Sequence, residues 1–146
     1  MSDLTVLIKI GPSFTNAQKQ IIRSLDLEKF VREAGLLVFD EISAAYQACS
    51  ALLHVSLYEG FGFPALEAMA SGIPAVLSAS ASLPEVAQGA ALFVSPQRPD
   101  QMAEALYKLL SDPSLSRLLI IKGKEQAARF RWKDTAEKTL QVYKSL

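Results

Sequence analysis

Two glutamates separated by seven residues, Glu59 and Glu67, bracket the segment Gly60-Phe61-Gly62-Phe63-Pro64-Ala65-Leu66. A carboxylate accepts hydrogen bonds on both oxygens, and bonds to an ionised acceptor are the strong ones, so a pair of carboxylates suits a ligand rich in hydroxyl groups. Gly60 and Gly62 lack the side chains that would hold a ligand away from the backbone, and main-chain amides ahead of a helix make a cradle for phosphate or sugar oxygens. Pro64 fits the first turn of that helix, where its missing N–H is not needed. Taken alone, these residues read more simply as a solvated acid pair at a helix N-terminus and a Gly-x-Gly that serves a tight turn.

The surrounding pattern decides where these residues stand. Apolar runs of strand length alternate with amphipathic stretches, as in an α/β domain with a parallel sheet and helices on both faces. Strands are predicted over residues 5–10, 30–35, 51–56, 75–78 and 91–94. Thr15 or Asn16 is expected to cap a helix whose apolar face is Ala17, Ile21, Ile22 and Leu25, and a second helix begins at Asp40 or Ser43 and runs through Cys49. The turn over residues 59–64 leads into a helix over 64–71 that Gly72 stops. The glutamates thus lie beyond the carboxyl end of a strand, where open parallel sheets bind ligands. Pro84 opens a short helical turn, and the carboxy-terminal part is helical over 100–110, from Asp112-Pro113 towards Phe130, and over 133–146. No repeat or linker interrupts the chain, so one domain with one core is expected over residues 1–146.

Composition narrows the function classes. Lys plus Arg and Asp plus Glu each number 15, which leaves no field to gather polyanions, so nucleic acid is not an expected partner. Cys49 is the only cysteine and forms no internal disulfide, which fits a reducing cytoplasm. No basic-then-apolar leader opens the sequence, and the apolar stretch ending at Tyr58 falls short of the roughly 18 to 20 residues a membrane span needs. His54 in its apolar strand reads as a satisfied core histidine. Phe63, more than Phe61, reads as a core wedge, and Cys49, Met69 and Met102 as packing residues. Lys9, at a strand end, is within reach of a phosphate, although a solvated lysine is the plainer reading. The basic stretch of Lys122, Lys124, Arg129, Arg131 and Lys133 reads as a solvated face, with peripheral membrane contact as its alternative.

The full run over residues 56–74, with Glu59 and Glu67 around Gly-Phe-Gly-Phe-Pro and then Ala-Met-Ala-Ser-Gly-Ile-Pro, resembles the donor-site signature of glycosyltransferase family four. Leu83-Pro84-Glu85-Val86 followed by Gly89-Ala90-Ala91-Leu92 is similar to the next block of that pattern, and Phe130-Arg131-Trp132 to the aromatic pair before its terminal helix. Ile8-Lys9-Ile10-Gly11 with Phe14-Thr15 and Ala17-Gln18 resembles mannosyltransferase-like members, and Asp40-Glu41 through Tyr46 also fits. With the whole signature in view, the functional reading of the glutamates outweighs the plain one.

The resemblance implies a Rossmann-like domain, the carboxy-terminal half of a two-domain GT-B enzyme that transfers a sugar from a nucleoside diphosphate with retention of configuration. Glu59 would face the sugar as the catalytic carboxylate, Gly60, Phe61 and Gly62 would offer amides, Leu66 would line the nucleotide side, and Glu67 would bind the ribose hydroxyls. The base would lie near Gly35, Leu36 and Leu37. GDP-mannose or a UDP-sugar would be the donor, with neither metal nor other cofactor; a lone histidine and a lone cysteine suggest no ligand cluster. The family's acceptor-binding domain, and a strand-helix unit that brings an Arg and a Lys to the diphosphate, lie outside this sequence and are expected in cis or in trans, with self-association through the face they would cover as a further expectation. Glu33 departs from the family pattern, which has an apolar or aromatic strand residue there. The rivals are a free-standing nucleotide- or glycan-binding module without turnover, and a GT-B-like epimerase, against which the glutamate pair argues.

Overall fold

The computed structural model describes residues 6–146, so Thr5 of the first predicted strand lies outside the described residues. The chain forms two compact units that divide between Ala44 and Ala45, inside a helix.

In the first unit β1 (Leu7–Ile10) pairs in parallel with β2 (Val31–Gly35), Leu7 opposite Val31, with an irregularity after Lys9. Between them runs α1 (Asn16–Ser24), and α2 (Phe39–Ala48) follows. Thr15 caps α1 as expected: its hydroxyl accepts from the Gln18 amide at 3.3 Å, and the Gln18 side chain accepts from the Thr15 amide at 2.9 Å. The apolar face assigned to α1 is not buried, however; Ile21 and Leu25 are 58% and 60% exposed. Two short strands and a helix leave too little surface to enclose such a stripe.

The second unit carries the parallel sheet β3 (Leu52–His54), β4 (Ala75–Ser78) and β5 (Leu92–Val94), in that order. Its helices are α3 (Phe63–Ser71), α4 (Leu83–Ala87), α5 (Pro99–Ser111), α6 (Pro113–Ala127) and α7 (Trp132–Lys144). Every residue of β4 is buried, and its alternation sorts the layers, since successive strand residues face opposite sides. Ala75 and Leu77 join Ala65 and Met69 of α3 and Leu83 and Val86 of α4. Val76 joins Val94, Leu109 of α5 and Leu119 of α6. The expected single core is therefore two apolar clusters, because the sheet between them is covered by helices on both faces. Gly123 brings α6 close to α3, where a Cβ would stand 3.2 Å from the Met69 side chain. Asp112 caps α6, accepting from the Ser114 and Leu115 amides at 2.9 and 3.0 Å. In α7 no residue is buried, and Arg131 and Lys133 pair with Asp134 and Glu137, in line with a solvated basic face. No described helix is long and apolar enough to cross a membrane.

Candidate functional site

Glu59 lies in the loop that leaves the carboxyl end of β3 and enters α3. Its Oε1 accepts the Ser56 hydroxyl at 2.7 Å and lies 2.9 Å from His54 Nε2. The two donors are themselves 3.5 Å apart. His54 is thus satisfied, as its apolar setting suggested, but by the leading candidate carboxylate and not within a closed core. The Glu59 side chain is 27% exposed.

Glu67 sits in the second turn of α3, and its Oε2 lies 3.2 Å from the phenol of Tyr46, which is also 3.3 Å from the Pro64 carbonyl. Tyr46 comes from α2 and is buried. Burial, and then the negative charge of Glu67 beside it, push the phenol well above the ordinary tyrosine range, so it stays a donor. One phenol therefore ties the second carboxylate to the start of its helix.

The main chain between the glutamates is fixed from a third direction. Ser82 stands at the N-cap position of α4 but makes no side-chain cap. Its hydroxyl turns instead to the carbonyls of Glu59 at 3.0 Å and Phe61 at 2.9 Å. Every described peptide is trans, so in each of these two peptides the N–H points opposite the carbonyl. The Gly60 and Gly62 amides therefore both face away from Ser82, and among the described residues neither donates to another main-chain group. Ala81, just before Ser82, is held at φ +54°, a costly conformation for alanine and the kind of strain that functional turns retain. Because Ser82 caps nothing, Ser82→Ala is expected to leave stability within about 1 kcal/mol while releasing both peptides. Affinity for the nucleoside diphosphate that the sequence resemblance implies is then expected to fall about threefold to tenfold in a calorimetric titration, and unchanged affinity would remove Ser82 from the site.

The two glycines serve different ends. A Cβ on Gly60 would meet nothing within 4 Å, whereas one on Gly62, at φ +99°, would stand 2.5 Å from Leu83 Cδ2. Gly60 keeps space open, and Gly62 answers to packing. Phe61 packs on the cluster beneath the loop, but Phe63 is 48% exposed and is not the core wedge its sequence suggests. It opens α3 at the rim, where its ring lies 4.8 Å from Phe61 and stacks at 6.2 Å on Trp132, while Phe130 meets Phe61 edge-on at 5.7 Å. Leu66 is half-buried against the same cluster.

Lys9, Gly35, Leu36 and Leu37 belong to the first unit. Lys9 Nζ donates to the Pro12 carbonyl and lies 5.1 Å above the Phe14 ring. Gly35 at φ +75° borders open space, Leu36 is 83% exposed and Leu37 is half-buried. Glu33, the departure from the family pattern, accepts the Phe14 amide. A broad hollow of the same unit, lined by Phe14, Lys19, Ile22 and Arg32 among others, includes neither Glu59 nor Glu67. Among the described residues no three His, Cys, Asp or Glu side chains gather as a metal-binding set. Tyr46 and Ser56 fall at the ends of stretches that resemble the family and Ser82 outside them, and the sequence assigns none of the three a role in the site.

The family of glycosyl transferases group 1 matches residues 5–126. The chain is 33% identical over 127 residues to the O-antigen chain mannosyltransferase B of Escherichia coli, covering 87% of this chain and 33% of that protein. It superposes on sucrose-phosphate synthase from Thermosynechococcus elongatus with a TM-score of 0.86 at 27% identity, covering 95% of this chain and 38% of the other. The Anabaena protein Alr3699/HepE, solved in complex with UDP-glucose, gives a TM-score of 0.86 at 21% identity over 97% of this chain and 41% of its own, a likeness of fold. The chain spans well under half the length of each of these proteins. With its α/β fold, a parallel sheet sheathed by helices and the glutamate pair at the sheet's carboxyl end, the chain belongs to the group 1 glycosyl transferases.

Proposed function

We propose that this chain is the donor-binding half of a retaining GT-B glycosyltransferase and holds a nucleoside-diphosphate sugar over the loop from Glu59 to Gly62. The observation that carries the reading is a pair of glycine amides with no main-chain acceptor among the described residues, in peptides whose carbonyls share the Ser82 hydroxyl, between two carboxylates each held by neighbouring side chains. In the reaction the bond from the anomeric carbon to the diphosphate breaks, its electron pair leaves with the phosphate oxygen, an acceptor hydroxyl oxygen bonds to that carbon on the same face, and the hydroxyl proton passes to the departing diphosphate. The amides face the charge that grows on the diphosphate, and Glu59 faces the positive charge that grows on the sugar ring; preoriented dipoles of this kind supply most of such stabilisation. Glu67 takes the ribose hydroxyls, with Leu66 on the nucleotide side. In the first unit, the exposed Leu36 beside Gly35 and Leu37 offers an apolar surface of the kind a base takes. Lys9, the other candidate phosphate contact, gives one of its three donors to the Pro12 carbonyl. The scheme involves no metal and belongs to the cytoplasm, and the acceptor domain joins in cis or in trans. The name of the Escherichia coli relative favours mannose, and the Anabaena complex makes UDP-glucose the second probe.

Thermal melts test the reading. At a ligand concentration about tenfold above Kd, UDP or GDP is expected to stabilise the chain by about 1.4 kcal/mol, raising Tm by about 4 °C. No shift with UDP, GDP or ADP would remove the nucleotide site.

A further inference from the structure

We propose that His54 and Ser56 are positioning residues that dedicate one oxygen of Glu59 to the protein and leave the other to the sugar; this rests on the reading of Glu59 as the sugar-facing carboxylate. Both contacts end on the same atom, Oε1, at 2.9 and 2.7 Å. Among the described residues Oε2 has no side-chain partner, yet it is not a buried orphan, because no buried side-chain oxygen lacks a partner. It is therefore the oxygen with capacity left to accept from a ligand hydroxyl.

The support comes from a rigid element. His54 is the last residue of β3, paired in register with the fully buried Leu77. The sheet thus fixes the backbone from which its imidazole projects, while Glu59 rides on the loop and has its own carbonyl bonded by Ser82. A carboxylate turns about a broad, nearly two-fold torsion, and fixing it costs ordering entropy when a ligand must do so. With Oε1 already held, that ordering is complete before the sugar arrives. An ionised carboxylate only accepts, so the proton between the two groups resides on His54 Nε2. The imidazole acts through Glu59 and does not itself touch the sugar.

The test separates positioning from mere stability by comparing each nucleotide with its sugar form. UDP, UDP-glucose, GDP and GDP-mannose are titrated calorimetrically into the parent chain and into His54→Leu, His54→Gln and Ser56→Ala. The parent is expected to bind a nucleotide sugar more tightly than its nucleotide. His54→Leu should narrow that advantage about tenfold and Ser56→Ala about threefold, each leaving nucleotide affinity within about twofold. His54→Gln, whose amide offers a donor in place of Nε2–H, should recover most of the loss. Equal weakening of nucleotide and nucleotide sugar, an unchanged sugar advantage in the variants, or a parent with no sugar advantage would overturn the assignment. If His54→Leu does not fold, Ser56→Ala and His54→Gln decide by the same ratio. A parent that binds none of the four overturns the donor reading itself, and this assignment with it.

Discussion

Glu67→Ala is expected to weaken UDP or GDP binding about thirtyfold to hundredfold while the chain melts within a few degrees of the parent. Two vicinal ribose hydroxyls given to one carboxylate make two charge-assisted bonds, each contributing about 1.5 to 3 kcal/mol before losses to solvent. Little stability goes with them. Among the described residues the Glu67 carboxylate accepts only from Tyr46, and the Tyr46 phenol keeps the Pro64 carbonyl at 3.3 Å when Glu67 is cut back. The buried hydroxyl is therefore not orphaned, which is the usual source of a large penalty in such a truncation. Glu67→Gln keeps the shape and loses the charge, and should fall between parent and alanine. Calorimetry with UDP and GDP, paired with thermal melts, measures both quantities. Nucleotide affinity within twofold of the parent, or a loss of binding that tracks a large drop in Tm, would show that Glu67 serves the helix and not the ligand.

The local grammar of the chain was readable to within a residue or two. The run Ala75-Val76-Leu77-Ser78, entered from Pro74, is the strand it looks like, and Thr15, one of the two expected caps, caps α1. Such features depend on neighbours in sequence, which periodicity and capping chemistry encode directly. What the sequence hid depends on partners far along the chain. Ser82 reaches the Glu59 carbonyl from 23 residues away, and Tyr46 reaches Glu67 from 21. His54 looked like core because Leu52, Leu53 and Val55 around it are apolar; nothing local shows the loop folding Glu59 back onto it. Ile21 and Leu25 looked buried because amphipathicity reports which face is apolar, not whether anything covers it. The division between the units falls inside a helix, where no linker composition marks it.

The same substitution at two neighbouring glycines should have opposite consequences. Gly62→Ala is expected to destabilise the chain by about 2–4 kcal/mol, combining the cost of a left-handed alanine with that of overpacking. Its φ is +99°, and the new methyl would stand 2.5 Å from Leu83 Cδ2 and 3.7 Å from Leu83 Cγ. Leu83 has nowhere to go, since it is fully buried and shares a cluster with Ala65, Met69 and Leu77. Gly60→Ala meets no such obstacle: its φ is not positive and a Cβ there touches nothing within 4 Å. Its stability should stay within about 0.5 kcal/mol of the parent, as for other exposed substitutions. The methyl would instead occupy the space beside the free amides and lower nucleotide affinity. Urea denaturation measures the first effect and titration with UDP or GDP the second. Combining Gly62→Ala with Leu83→Ala should cost less than the two singles added, because the cavity left by Leu83 receives the methyl. A Gly62→Ala chain as stable as the parent would mean that the turn is looser than its packing against Leu83 requires, and that the glycine amides are not held in place before a ligand binds.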